Sequence, residues 1–182
     1  RAEVNALRAK GMKSLIFDLR GNPGGLLTEG ITVSELFLDR GQGVVSTRGR
    51  VPEMNKSYAA QSTQPWPEMP VVVLVNEWSA SAAEIIAGAL QDNDRAIVIG
   101  TATFGKGLVQ TLFPIGNDRA LKLTTARWFT PSGRTIQRDA KNQEAQVEQA
   151  TAEALGRDSV KRVLPTFTTV GGRTVKGGGG IV

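Results

Sequence analysis

The 182-residue chain contains no histidine and no cysteine. Without imidazole, neither a Ser-His-Asp triad nor a histidine-ligated metal site can form. Without thiol there is no cysteine nucleophile, zinc knuckle or disulfide. Any catalysis by this chain must therefore use Ser, Thr, Lys, Tyr or carboxylate side chains.

Long apolar runs and aromatic residues are also scarce. The longest apolar run, Val71–Val75 with Pro70 before it, is far shorter than the roughly 20 residues that a membrane-spanning helix needs. Lysine and arginine outnumber aspartate and glutamate by 22 to 17, but these charges are spread along the chain and only 5% of the residues are aromatic. We therefore expect neither a membrane span nor a nucleic-acid partner, and the length fits one globular domain.

The pattern of apolar residues predicts an α/β fold. The clearest unit is a strand at Pro70–Val75, a helix at Ser79–Asp92 and a strand at Arg95–Ile99, and such fully apolar strands are typical of a parallel sheet covered on both faces. The other predicted segments are helices at Ala2–Lys10, Leu26–Asp39 and Arg138–Val163, strands at Lys13–Leu19, Gly43–Thr47, Leu108–Pro114 and Ala120–Thr130, a loop or lid at Pro52–Pro70, and an extended end at Thr166–Val182.

The segment Ser79-Ala-Ser-Ala-Ala-Glu84 stands where a strand ends and a helix begins. Ser81 and Glu84 have the spacing of a capping box, which satisfies free backbone N–H groups at a helix start. A serine at this junction also lies above the carboxyl end of the sheet, where open α/β folds bind ligands, and the N–H of Ala82 is placed to bind an oxyanion. From the residues alone, Ser81 is either a structural cap or a nucleophile, and Ser79 is a rival nucleophile.

The segment Gly100-Thr-Ala-Thr-Phe-Gly-Lys-Gly107 is close to the phosphate-binding pattern G-x-x-x-x-G-K-[ST]. Position 107 lacks the hydroxyl that binds magnesium, and the residues that follow are typical of a strand rather than of the required helix. Nucleotide binding is therefore the less favoured interpretation. Lys106 is then either a solvated surface lysine or a lysine that backbone or substrate approaches closely between two glycines.

A glycine-rich turn, Asp18-Leu-Arg-Gly-Asn-Pro-Gly-Gly25, follows the predicted strand at Lys13–Leu19. Its residues are typical of tight backbone geometry. Such a turn at the carboxyl end of a strand is also a source of free N–H groups for a carbonyl oxygen. The turn alone does not decide between these two roles.

The absence of histidine suggests how the serine and lysine segments could act together. A nucleophilic serine needs a base within hydrogen-bond reach, and lysine is the nitrogen base that this composition offers. A lysine with an ordinary pKa of about 10.4 is protonated at neutral pH, and lowering that pKa to about 7 requires about 4 kcal/mol. Because burial disfavours an ammonium ion, we expect Lys106 to lie in an apolar, glycine-lined pocket.

Five sequence blocks resemble the carboxyl-terminal processing proteases, also called tail-specific proteases. They are Asp18–Leu26, Asn76–Ile85, Gln91-Asp92, Phe104–Gln110 and Gly177–Ile181, and they occur in the order of the family. The resemblance covers residues 10–182 and implies a crotonase-like protease core with a mostly parallel buried sheet and flanking helices. It also implies that residues 1–182 are the catalytic core without the family's N-terminal segment and PDZ domain.

The resemblance implies roles for individual residues. The family's nucleophile is the second serine of the S-A-S motif, and its lysine follows 25 positions later, which selects Ser81 and Lys106 (106 − 81 = 25). The family's assisting glutamine falls on Gln110. The aspartate of its Q-D pair falls on Asp92, which we interpret as structural or orienting support.

The family's oxyanion donors fall on the amide of Ala82 and on Gly24 or Gly25, between which the resemblance does not distinguish. This chain departs from the family at two positions. Trp78 stands where a small residue is common, and Ala83 stands where a third serine is common. Neither departure removes the dyad, but Trp78 bears on access and substrate choice.

Lys106 and Gln110 provide a geometric test of the transferred roles. On a straight strand they would lie about 13 Å apart, which is too far for contact. We therefore expect a helical turn or a bulge here, which the neighbouring glycines at 105 and 107 would permit.

Together, the residues and the resemblance predict a serine endopeptidase that cleaves proteins near their C-termini through a Ser-Lys dyad, without a metal or cofactor. The expected partners are protein or peptide substrates with accessible apolar C-termini, and oligomerisation is compatible with this function. By resemblance, the location is the bacterial cell envelope or periplasm. In the family the PDZ domain engages substrate C-termini by strand addition, so we expect this fragment alone to be weakly active or inactive. The alternatives are a non-catalytic peptide-binding or scaffolding module on the same fold, and a nucleotide-binding protein.

Overall fold

The computed structural model describes residues 1–138 and 164–181. Its helices and strands confirm the α/β class. In chain order the elements are α1 (Ala2–Ala9), β1 (Leu15–Asp18), α2 (Leu27–Ser34), β2 (Gly43–Gly49), a 3₁₀ helix (Pro52–Met54), β3 (Lys56–Ala59), β4 (Val71–Val75), α3 (Ala82–Asp92), β5 (Ile97–Gly100), β6 (Leu108–Pro114), β7 (Ala120–Phe129), β8 (Thr166–Thr168) and β9 (Thr174–Lys176).

Strands β1, β4 and β5 form a parallel sheet with β4 in the centre. Val73 of β4 pairs with Phe17 of β1 on one side and with Val98 of β5 on the other. Helix α3 connects β4 to β5, so the predicted strand-helix-strand unit is confirmed. Because the strands are parallel, the loops that follow them all begin at the carboxyl end of the sheet. These loops carry the three candidate motifs.

A second sheet is antiparallel, with the order β3-β2-β7-β6, and β8 pairs with β9 in a separate ribbon. The prediction of a mostly parallel sheet is therefore wrong, since three of the nine described strands pair in parallel. Strands β6 and β7 are joined by a short turn, and a connection of that length allows only antiparallel pairing. Strands β6 and β7 themselves lie where the sequence predicts them.

One face of the parallel sheet belongs to the hydrophobic core, which contains Val73 of β4 and Leu90 of α3. On the opposite face, Ile16, Ile97 and Ile99 are 68%, 59% and 52% exposed. The prediction of a sheet covered on both faces is thus wrong for the part of the chain that the structure describes. Alternation along each strand places these exposed isoleucines together on the uncovered face.

The segment Pro52–Pro70 is a loop over residues 60–70, as predicted, but it begins with a 3₁₀ helix and a short strand that the sequence did not predict. Residues Lys56–Ala59 pair with β2 as an edge strand, and Trp66 and Met69 are buried in the core. The guanidinium of Arg95 donates to the carbonyl oxygens of Trp66 and Met69, at 2.9 Å each. The second half of this segment therefore packs on the core.

The remaining predictions differ mainly at the ends of elements. Helix α1 ends at Ala9, and Gly11, just beyond its end, has a φ of 97°, as the predicted cap requires. Helix α2 ends at Ser34, five residues before the predicted end. The predicted helices at 138–163 lie, apart from residue 138, outside the described residues. Among the described helices, none has the length and apolar character needed to cross a bilayer.

Candidate active site

Hydrogen bonds join two of the loops at the carboxyl edge of the parallel sheet. The buried hydroxyl of Ser79 donates to the carbonyl oxygen of Leu19 at 2.7 Å and accepts from the N–H of Asn76 at 3.0 Å. The side chain of Asn76 in turn accepts from the N–H of Gly21 at 2.9 Å. The Ser79 hydroxyl thus holds the glycine-rich loop against the serine loop.

Ser81 immediately precedes α3 with a φ of 55° and a ψ of −116°, a combination that residues other than glycine rarely adopt. Ser81 and Glu84 form the predicted capping box. In this box the serine hydroxyl accepts a hydrogen bond, so its own proton stays available for transfer. A strained turn between a strand and a helix is also how α/β-hydrolases present a nucleophilic serine. Capping and nucleophilic attack are therefore compatible at Ser81.

Glu84 is fully buried and joins the serine loop to the lysine loop. Its Oε2 accepts from the N–H groups of Ser81 at 2.8 Å and Lys106 at 2.9 Å. Its Oε1 accepts from the hydroxyl of Thr103 at 2.5 Å and from the N–H of Gly105 at 2.7 Å. Burial raises the pKa of the Glu84 carboxyl, and these hydrogen bonds act in the opposite direction. One side chain thus fixes the backbone of Ser81 relative to that of Lys106.

The glycines beside Lys106 bring the lysine loop against another part of the chain. Gly105 has a φ of 83°, and a Cβ at this position would lie 2.8 Å from the Cβ of Arg138. A Cβ at Gly107 would lie 2.9 Å from the backbone nitrogen of Gln137, whose side chain accepts from the N–H of Gly107 at 2.8 Å. Backbone thus approaches the two glycines closely, as one interpretation of the sequence expected, while the side chain of Lys106 itself is exposed, as the other expected.

Ser81, Lys106, Gln110 and Gly25 line one cleft of about 260 Å³. The other lining residues are Lys122 and a mostly apolar set: Leu26, Leu27, Ile85, Leu108, Val109 and Trp128. The structure therefore brings Ser81 and Lys106 together. The cleft is mostly apolar and Gly25 lines it, as predicted, but Lys106 is exposed, so within the described residues the expected burial of its side chain is not observed.

Two backbone N–H groups at this cleft have the features of oxyanion donors. The N–H of Ala82 lies in the first turn of α3, where a helix provides no partner for it. Gly25 lines the cleft, whereas the N–H of Gly24 donates to the side chain of Asn22 at 2.8 Å. A Cβ at Gly24 would lie 2.6 Å from the nitrogen of Ala82 and 2.9 Å from the Cβ of Ser81. The absence of a side chain at Gly24 thus lets its loop pack directly against the backbone of Ser81 and Ala82.

Gln110 lies in β6, and Lys106 precedes that strand. A shift in the pairing with β7 occurs between Val109 and Gln110, but its extra residue is Thr125 on β7, so the segment from Lys106 to Gln110 contains neither the predicted bulge nor the predicted helical turn. The segment after Gly107 is a strand, which contradicts the helix that a phosphate-binding loop requires.

Asp92 lies at the other end of α3, about 16 Å from Ser81 at 1.5 Å per residue. It is buried and forms an ion pair with Arg134 at 2.7 Å, and it accepts from the N–H and hydroxyl of Ser132. Its contacts thus join the end of α3 to Ser132 and Arg134, away from the cleft. Within residues 1–138 and 164–181, no three metal-binding side chains are grouped closely enough to hold an ion.

Trp78 and Ala83 occupy different environments, although both are near Ser81. The Trp78 side chain is 65% exposed on the serine loop, and Ala83 is buried in α3. Trp78 is therefore open to solvent, but it is not among the residues that line the cleft. Ala83 is part of the core, where a serine hydroxyl would need a partner.

Sequence reasoning identified Glu84 only as a helix cap and did not identify Thr103. Thr103 is buried, accepts from the N–H of Ile181 at 2.7 Å, and donates to Glu84. A Cβ at Gly180 would lie 2.6 Å from the carbonyl oxygen of Thr103. The glycine run near the chain's end thus packs behind the lysine loop, which no local spacing indicates.

We expect Glu84→Gln to lower the free energy of unfolding by about 2 kcal/mol or more, because each carboxylate oxygen accepts two hydrogen bonds and an amide NH₂ would face two donors in either orientation. Denaturant unfolding measures this change, and peptide hydrolysis should fall with it. The control is Glu29→Gln, at an exposed carboxylate in the first turn of α2. Equal unfolding midpoints for the two variants would contradict the conclusion that Glu84 holds the serine loop and the lysine loop together.

Comparison with known proteins shows extensive similarity. The family model described as peptidase family S41 matches residues 1–147. A carboxy-terminal-processing protease of Bartonella bacilliformis is 52% identical over 126 residues, which are 69% of this chain and 29% of that protein. The carboxy-terminal processing protease CtpA of Bacillus subtilis is 41% identical over 133 residues, 73% of this chain and 28% of that protein.

Among solved structures, the photosystem II D1 C-terminal processing protease is similar, with a TM-score of 0.63 and 36% identity. The match covers 74% of this chain and 34% of that one. The chain thus spans less than a third of the length of these two curated relatives.

Proposed function

The chain belongs to peptidase family S41, and we propose that it forms the catalytic part of a serine endopeptidase that cleaves proteins near their C-termini. The observation that carries this proposal is the shared cleft of Ser81 and Lys106, whose backbones Glu84 ties together. The names of the similar proteins support a C-terminal processing activity.

In the proposed reaction, neutral Lys106 accepts the hydroxyl proton of Ser81 as the serine oxygen attacks the substrate carbonyl carbon. The N–H groups of Ala82 and Gly25 bind the negatively charged oxygen. Lys106 then gives its proton to the leaving amine as the peptide bond breaks, which leaves an acyl ester on Ser81. A water molecule attacks this ester, Lys106 takes up the water's proton, and its return to Ser81 releases the acid product.

The chain's own packing supports this assignment of roles. The Ser79 hydroxyl is buried and hydrogen-bonded, whereas Ser81 lines the cleft, so we assign nucleophilic attack to Ser81. Gly25 is preferred to Gly24 as donor because the Gly24 N–H is already bonded to Asn22. Gln110 lines the same cleft, and we assign it an assisting role there.

Exposure of Lys106 has a consequence for activity. The proposed reaction uses Lys106 as a neutral base, and burial favours the neutral form of an amine, so the proposal requires that something cover this side chain. In the proposed enzyme, bound substrate and the remainder of a longer protein supply that cover. We accordingly propose that residues 1–182 act as the core of a larger protease with a PDZ domain, and are weakly active alone.

Other features of the proposal rest on the family. We propose a crotonase-like arrangement of the core, substrates with accessible apolar C-termini, and a location in the bacterial cell envelope or periplasm. Oligomerisation is compatible with each of these features. The reaction as written needs no metal or cofactor.

The proposal is tested by incubating the full-length protein with an unfolded protein that has an apolar C-terminus. Mass spectrometry should identify products shortened at that end, and a fluorophosphonate reagent should label Ser81 covalently. A protein that binds the substrate, yields no products and takes up no label would instead be the non-catalytic module.

A further inference from the structure

Strand β6 lies at an open edge of the antiparallel sheet, beside the candidate cleft. In the order β3-β2-β7-β6, no strand of the described part of the chain lies on the outer side of β6. Its first three residues, Leu108, Val109 and Gln110, line the cleft that contains Ser81 and Lys106. The free edge and the cleft are therefore continuous.

The hydrogen bonds at the two ends of β6 show which backbone groups face the edge. In an antiparallel pair, the N–H and C=O of one residue both point to the partner strand, and those of the next residue both point away. The carbonyl of Gly107 accepts from the N–H of Trp128 at 3.0 Å, and the N–H of Ile115 donates to the carbonyl of Arg119 at 3.0 Å. Odd-numbered positions therefore face β7, and even-numbered positions face the free edge.

The bulge does not interrupt this alternation along β6. Val109 pairs with Ala126 and Gln110 pairs with Thr124, so the extra residue is Thr125 on β7. Pro114, which has no N–H, falls on an even position, where no donor to β7 is needed. The N–H and C=O groups of Leu108, Gln110 and Leu112 thus point outward.

This edge carries a proline at its far end, Pro114, but no charged side chain. Proteins commonly protect edge strands with charged side chains, and the residues from Leu108 to Ile115 include none. Leu112 and Ile115 are each 63% exposed. An uncharged edge with exposed apolar side chains, next to a reactive cleft, is suited to pairing with an extended polypeptide.

We propose that a substrate adds to β6 as a further strand. An extended, uncharged segment of the substrate pairs with the outward groups of Leu108, Gln110 and Leu112, and the cleft receives the adjoining peptide bond. These three residues span about 13 Å, which corresponds to about four extended substrate residues. The substrate class is thus unfolded protein that is extended for at least that length, recognised largely through its backbone. This inference rests on the proposed peptidase function.

The variant Leu112→Pro tests the edge directly, because proline removes the outward N–H but no hydrogen bond to β7. Leu112→Ala is the matched control, since it shortens the side chain and keeps the N–H. Both are placed in the full-length Ser81→Ala protein, and binding of a fluorescein-labelled, uncharged peptide that the wild type cleaves is measured by anisotropy. We expect proline to weaken binding about three- to tenfold relative to alanine.

A second experiment compares the affinities of a series of peptides, each methylated at a different backbone nitrogen. If the peptide pairs with β6, affinity should fall at every other position along the paired segment. Equal binding by the Leu112 variants together with no period of two would overturn the inference.

Two further results would assign the edge to another occupant and also overturn the inference. One is a dimer that Leu112→Pro dissociates while peptide binding is unchanged, which would indicate a second copy of the chain. The other is a lower unfolding temperature for Leu112→Pro than for Leu112→Ala with unchanged peptide binding, which would indicate another segment of the full-length protein. If the wild type cleaves the peptide but methylation shows no period of two, only the strand-addition inference fails. If the wild type cleaves no peptide at all, the proposed peptidase function fails.

Discussion

Full-length protein carrying Ser81→Ala or Lys106→Met is expected to lose about 10⁴-fold or more in kcat/KM, and the double variant is expected to lose little further. The two side chains line one cleft and are assigned to one proton transfer, so removal of either stops the same step. Effects of groups that act as a unit are strongly non-additive. The measurement is hydrolysis of the same peptide by all three variants.

The matched control for the lysine is Lys122→Met, since Lys122 also lines the cleft and the same charge is removed. This variant should retain most of the activity because Lys122 has no assigned part in the proton transfer. The dyad would be refuted if either single variant kept more than about a tenth of the wild-type rate. Independent, additive losses would show that the two residues do not act on one step.

The second large effect is expected from Gly24→Ala. The added methyl group would lie 2.6 Å from the nitrogen of Ala82 and 2.9 Å from the Cβ of Ser81, so the backbone that carries the proposed oxyanion donor would have to move. Loss of one oxyanion donor typically lowers kcat by about 10²–10³-fold. The φ of 86° at Gly24 and the close carbonyl oxygen of Ala80, 2.4 Å from the added Cβ, would also strain the turn.

Gly25→Ala is the control, because a Cβ at that position would meet nothing within 4 Å and the N–H would remain. Steady-state kinetics on both variants, with thermal unfolding to verify that each is folded, measure the difference. We expect Gly25→Ala to lose far less kcat than Gly24→Ala. The reverse order would show that the oxyanion lies elsewhere.

The sequence predicts the centre of this fold better than its periphery. A continuous apolar run, a helix of regular spacing and a second apolar run indicate β4, α3 and β5, because burial imposes those patterns locally. The bare face with Ile16, Ile97 and Ile99 could not be predicted, since an apolar strand has the same pattern whether or not another element covers it. Strand β3 was missed because its four residues carry no clear alternation.

At the site, the sequence supplied residue types and the structure supplied their surroundings. The choice of Ser81 and Lys106 came from the resemblance, because the capping-box pattern alone fits two roles. The tie from Glu84 to Thr103 and Gly105 spans about twenty positions, and no periodicity marks such a contact. The exposure of Lys106 depends on what surrounds the loop, which composition does not reveal.

The bonds of Glu84 also bear on how such a protein evolves. Glu84 holds the main chain of positions 81, 105 and 106, and none of these three bonds involves the side chain at those positions. The serine and the lysine can therefore be replaced in a descendant without displacing either loop. A descendant that no longer catalyses the reaction can therefore keep the cleft. Further substitutions can then convert it into a peptide-binding or scaffolding protein.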